Sequence, residues 1–116
     1  MANPQKAKGD AAEREVAQVL SELLGLPIRR KLGAGRTTAA GGDTGDLEGV
    51  PDHAIQVASW ADAAAAARIK PAEAELQAAN LNVRHSATFV RFRGGRLVVV
   101  LTVAQWVRYL KLIWRI

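Results

Sequence analysis

The stretch Gly45-Asp46-Leu47-Glu48-Gly49-Val50-Pro51-Asp52-His53-Ala54-Ile55-Gln56-Val57-Ala58-Ser59-Trp60 decides how this chain folds. Asp46 and Leu47 open a short strand, Gly49-Val50-Pro51-Asp52 turns the chain, and Ala54–Trp60 forms the next strand. Side chains alternate along a strand, so Ile55, Val57 and Ser59 share one face, and Ala54, Gln56, Ala58 and Trp60 share the other. Gln56 and Ala58 therefore emerge side by side.

Working toward the N-terminus, Gly33-Ala34-Gly35-Arg36-Thr37-Thr38-Ala39-Ala40-Gly41-Gly42 has no periodicity and reads as a mobile loop. A short strand over 26–32 precedes it. Before that, a helix starts near Asp10 and ends at Gly25. Val16, Val19, Leu20, Leu23 and Leu24 form its apolar stripe, with Glu13 at the stripe edge facing the domain and Glu15 facing water. Residues 1–8 read as a flexible basic arm and 9–116 as one domain.

Toward the C-terminus, residues 61–80 are alanine-rich, and Pro71 sits where a first-turn proline starts a new helix, giving two short helices. Ala87–Arg93 and Arg96–Leu101 read as a hairpin across Gly94-Gly95. A final helix from Thr102 carries Val103, Trp106, Val107, Leu110, Ile113 and Trp114 on one stripe. Tyr109, Leu112 and Ile116 widen its apolar arc, which suits a partner surface as well as a core. The order of elements defines a small mixed α/β domain.

A length of 116 residues fits one domain. Absence of cysteine excludes a disulfide framework and any thiolate metal site. No apolar run is long enough to span a bilayer, and the first nine residues lack the hydrophobic segment of a signal peptide. A cytoplasmic location is expected. The net charge is +5, and its layout is informative. Arg29, Arg30, Lys31 and Arg36 cluster without acids, as do Arg84, Arg91, Arg93 and Arg96, and then Arg108, Lys111 and Arg115. Basic surface around an acidic centre suits phosphate binding beside a cation site, although a generally basic protein gives the same totals.

Asp46 followed after a turn by Ile55-Gln56-Val57-Ala58 resembles the signature of the PD-(D/E)xK nucleases, whose second strand reads apolar-Glu-apolar-Lys. Lys8-Gly9-Asp10-Ala11-Ala12-Glu13-Arg14-Glu15 is similar to the opening helix of archaeal and phage-type Holliday junction resolvases in that superfamily. The likeness covers residues 8–60 and continues beyond only in element order. It implies a restriction-endonuclease-like α/β domain with a central mixed sheet flanked by helices. It also implies a homodimer acting on branched DNA, four-way junctions above all, by hydrolysis dependent on Mg2+ or Mn2+, in a bacterial or phage-infected cell. The last helix and the 61–80 region are the candidate dimer surfaces.

Carried over by position, the resemblance gives Glu13, Asp46, Gln56 and Ala58 as the catalytic positions, and Glu13, Asp46, Gln56 and Val57 as the metal site. Lys6, Lys8, Arg29, Arg30, Lys31 and Arg36 are the DNA-binding residues. Gln56 stands where the family has glutamate, and Ala58 where it has lysine. Glutamine keeps an oxygen of similar reach but no full charge, and alanine removes a cation. Loss of one preorganised electrostatic group costs roughly 2.7–4 kcal/mol, so the chain is expected to bind DNA and to cut it poorly or not at all. Natural drift and deliberate disarming both leave this pattern. A pseudonuclease serving as a DNA-binding module and a protein-interaction subunit are the alternatives. Read singly, His53 and His85 are surface or loop histidines and Asp52 is a turn residue. Trp106 and Trp114 are core or dimer contacts.

Overall fold

The computed structural model describes residues 4–59 and 63–115. Helix α1 spans Pro4–Leu24, strand β1 Arg29–Arg30, β2 Leu47–Glu48, β3 His53–Ala58, helix α2 Ala63–Leu81, β4 His85–Arg91, β5 Leu97–Val100 and helix α3 Val103–Trp114. One sheet of five strands runs in the order β1-β2-β3-β4-β5. All pairs are antiparallel except β3 with β4. The parallel pair requires a crossover, which α2 supplies. The result is the single α/β domain expected, a mixed sheet with flanking helices. Among the described residues no helix is long and apolar enough to cross a membrane.

The alternation read from β3 sets the two layers. Ile55 joins Leu47, Ala87 and Phe89 beneath Val16 and Ala17 of α1. On the opposite face Ala54 and Ala58 are buried together with Val90 of β4 and with Ala74 and Ala78 of α2. Small residues on both surfaces let α2 lie close to the sheet, so the alanine-rich run has a packing purpose.

Several elements depart from expectation. Helix α1 begins at Pro4 and not near Asp10, because proline is compatible with a first helical turn; Lys6 and Lys8 lie on that extension, and their side chains are outside the described part. Leu23 and Leu24 are exposed, since the chain reverses at Gly25 (φ 66°) and Ser21 Oγ already clamps the backbone of Ile28 at 3.1 Å. The strand expected over 26–32 is reduced to two residues. Helix α2 runs unbroken through Pro71, which is buried against the sheet; packing of the ring there offsets the hydrogen bond that proline cannot make. Trp60 falls outside the described residues.

Of the two uses open to the α3 stripe, core and partner surface, the structure excludes the first. Val103 is 79% exposed, Trp106 53%, Ile113 70% and Trp114 61%, so the apolar stripe faces outward and the tryptophans are not core. The inward face is polar. Gln105 is 1% exposed; its Oε1 accepts from Ser86 N at 3.0 Å and its Nε2 lies 2.9 Å from His85 Nδ1.

Candidate functional site

Asp46 is fixed from its backbone outward. Its N–H donates to Ile55 O at 2.8 Å, and its carbonyl accepts from Lys31 N at 2.8 Å. Gly45 precedes it at φ 98°, and a Cβ there would stand 3.0 Å from Ile55 O, so only glycine lets β2 enter this close to β3. The Asp46 carboxylate then reaches across to β3, where Oδ2 accepts from Val57 N at 2.8 Å. Burial pushes this carboxyl above its ordinary range, with the Val57 N–H opposing and the Glu13 charge adding to the rise.

Glu13 comes to the same place from α1. It is buried, as its position on the wheel implies. Arg36 joins the two acids: Nη2 donates to Glu13 Oε1 at 2.6 Å and Nη1 to Asp46 Oδ1 at 2.9 Å. Its Nε donates to Lys31 O at 2.8 Å. Hydrogen bonding to Glu13 holds the Arg36 guanidinium above its usual pKa. Arg30 Nε donates to Glu13 Oε1 at 3.0 Å, and its Nη2 pairs with Asp10 at 2.8 Å. Beside these residues a cleft of about 480 Å³ is lined by Gly9, Asp10, Glu13, Arg30, Leu32, Gly33 and Arg36.

The segment expected as a mobile loop is a built one. Gly33–Arg36 forms a 3-10 turn, Thr37 bridges Asp43, and Thr44 N donates to Arg36 O at 2.8 Å. Thr38 closes the tip by accepting from Gly42 N at 2.9 Å. These local bonds, which small residues allow but periodicity cannot reveal, set the position of Arg36.

Lys31, expected to contact DNA, is instead an interior residue. It is 6% exposed, and its Nζ donates to Thr44 O at 2.7 Å and Thr44 Oγ1 at 3.1 Å. Burial lowers its pKa, against the pull of Glu48, Asp43 and Asp46. Arg30 and Arg36 are drawn inward by the acids, whereas Arg29 is exposed.

Gln56 and Ala58 are both buried on the α2 side of β3. Gln56 Nε2 donates to Glu73 Oε2 at 3.3 Å, and Lys70 Nζ pairs with the same oxygen at 3.2 Å. Of the four positions, the structure joins Glu13 and Asp46 directly through Arg36; Gln56 is engaged elsewhere, and Ala58 contributes only packing. Val57 takes part through its backbone N–H. Asp43 bonds Gln77 Nε2 at 3.1 Å.

A divalent ion does not fit these residues. Among the described residues no group of three or more acids or histidines is placed to hold one. All four carboxylate oxygens of Glu13 and Asp46 already accept a donor.

A second cluster, unsignalled by any motif, stands at the opposite end of β3 and β4. His53 and His85 are register partners, with ring centroids 5.1 Å apart, and Tyr109 of α3 lies 5.2 Å from His85. His53 Nε2 meets Tyr109 Oη at 2.6 Å. The two histidines are thus not loop residues; parallel pairing, invisible in sequence, stacks them. Asp52 is the turn residue expected (φ 61°), and its carboxylate also binds Arg84 Nε at 2.5 Å.

Comparison with family models, curated proteins and solved structures gives no match, so the nuclease resemblance rests on the residues quoted above.

Proposed function

We propose that this chain is a nuclease-like DNA-binding domain of PD-(D/E)xK type that engages branched DNA, four-way junctions above all, as a homodimer and does not hydrolyse it. The observation that carries the reading is the joining of Glu13 and Asp46 through Arg36, beside a cleft that Glu13, Arg30 and Arg36 line, at the strand and helix positions where the resemblance puts two metal-site acids. In a complete enzyme of this type a divalent ion would polarise the phosphate. Here the neutral Gln56 and the apolar Ala58 supply neither the third acid nor the ammonium. DNA would be held by phosphate contacts from exposed cations, Arg29 foremost. The location that goes with this reading is the cytoplasm of a bacterial or phage-infected cell.

A mobility-shift comparison of a four-way junction with linear duplex of the same sequence tests it. Tighter retention of the junction, without cleavage in magnesium, is the expected result. Equal retention of both favours a general DNA-binding pseudonuclease. No retention at moderate salt favours the interaction-subunit reading, which has its own support in the outward apolar stripe of α3.

A further inference from the structure

The geometry points to Arg36 as a built-in cation: we propose that its guanidinium takes the place of a divalent metal between Glu13 and Asp46, so that the centre is assembled and largely neutralised without any ion from solution. The inference deepens the DNA-binding reading and rests on it for its functional meaning, but its physical content is separate.

Three features support the assignment. Arg36 is over-determined. Its backbone carbonyl is held by Thr44 N at 2.8 Å, its Nε by Lys31 O at 2.8 Å, and its two terminal nitrogens by the two acids. A side chain fixed at the backbone and at all three nitrogens loses little further freedom on bridging, which is where arginine outperforms lysine. Second, acceptor capacity is used up. Glu13 Oε1 accepts from Arg30 Nε and Arg36 Nη2, and Oε2 faces Arg36 Nη1 at 3.4 Å; Asp46 Oδ1 accepts from Arg36 and Oδ2 from Val57 N. Magnesium demands near-octahedral oxygen ligands and gives up its own water reluctantly. To enter, it would have to displace a guanidinium that already forms charge-assisted bonds with both carboxylates.

Third, the charges leave little for an ion to neutralise. Asp10, Glu13 and Asp46 carry three negative charges, and Arg30 and Arg36, which touch them, carry two positive ones. With a neutral amide at Gln56, a divalent ion added on top would be in excess. A centre with one acid fewer is largely neutralised by two fixed monovalent groups, Arg30 and Arg36. It follows that restoring Gln56→Glu and Ala58→Lys alone would leave Arg36 in the ion's place.

Manganese binding in the absence of DNA tests the proposal, read by electron paramagnetic resonance of free Mn2+ and by thermal melting with and without MnCl2. The unmodified chain is expected to leave the free-ion signal unchanged and to melt at the same temperature in manganese or EDTA. Arg36→Met is expected to melt lower in EDTA and to recover with manganese, binding the ion at least about tenfold more tightly than the parent, roughly 1.4 kcal/mol. Saturable manganese binding by the unmodified chain, abolished by Glu13→Gln, would overturn the proposal. So would a folded Arg36→Met chain that gains no affinity. Should Arg36→Met not fold, Arg36→Lys decides: the shorter single ammonium cannot span both acids, and unchanged indifference to manganese in that variant counts against the assignment. Junction retention in EDTA is measured in parallel. Its loss with normal manganese results would reject the DNA reading and leave Arg36 as assigned.

Discussion

The side-chain amide of Gln56 donates to Glu73 Oε2 at 3.3 Å, which ties β3 to α2 at the position where a nuclease of the resembled type has its acid. Gln56 is 6% exposed, and its Oε1 is buried with no donor among the described residues. Replacing it by glutamate sets a buried carboxylate against the half-exposed one of Glu73. Gln56→Glu is expected to fold and to lose roughly 1–3 kcal/mol at neutral pH. Burial and like charge raise the folded pKa of the new carboxyl. The deficit is therefore full above that folded value and fades as pH falls toward about 4.3, the unfolded value. Urea unfolding at pH 7.5 and pH 5 checks this; a deficit that grows on acidification would show that Gln56 and Glu73 are not in contact.

Arg29 and Lys31 are two residues apart on the same segment and differ in exposure. If exposed cations bind phosphate, Arg29→Ala lowers the slope of log affinity against log salt by about 1. Lys31→Met leaves that slope unchanged and instead lowers the urea midpoint, because Thr44 loses the donor that satisfies both its carbonyl and its hydroxyl. Equal effects of the two variants on the salt slope would mean that Lys31 is not interior.

His85 is packed against His53 and Tyr109. Burial, and then the neighbouring His53, hold its imidazole below the ordinary value of 6.5, with Asp52 pulling the other way. The folded protein therefore takes up this proton less readily than the unfolded chain. Its contribution is intact above pH 6.5 and is lost as pH falls from there toward the folded value. His85→Gln is expected to flatten the decline in stability between pH 7.5 and pH 5. A variant with the same slope as the parent would remove His85 as its source.

Trp106 and Ile113 stand on the outward stripe of α3, where a second copy would cover them. If the chain pairs as proposed, Trp106→Glu with Ile113→Glu is expected to convert the dimer to a monomer in sedimentation equilibrium while leaving the melting temperature of the monomer nearly unchanged, since neither side chain is core. A parent chain that sediments as a monomer at high micromolar concentration rules out this interface.

The legible parts of the fold were those governed by short-range rules. Alternation over Ala54–Ala58 placed Gln56 and Ala58 on one face, Gly25 and Gly94-Gly95 marked real turns, and the wheel buried Glu13. What could not be read depended on partners far along the chain. Arg36 is 23 residues from Glu13, and nothing in a small-residue loop signals that it folds back on an acid. Lys31 looked like one more member of a basic cluster until Thr44 enclosed it. The amphipathic pattern of α3 is plain in the sequence, but amphipathicity does not say which face meets the protein, and Gln105 decides it by docking on Ser86 and His85.

The sheet order β1-β2-β3-β4-β5 is the order of synthesis. No strand has to be threaded between two that are already paired; each arrives at a free edge and adds to it. A ribosome can therefore release this domain strand by strand onto a growing template, with α2 as the longest wait between additions. The outer edge strand, β5, is followed at once by α3, so the segment that comes after the last pairing is also one whose apolar side chains are still available to a neighbouring molecule.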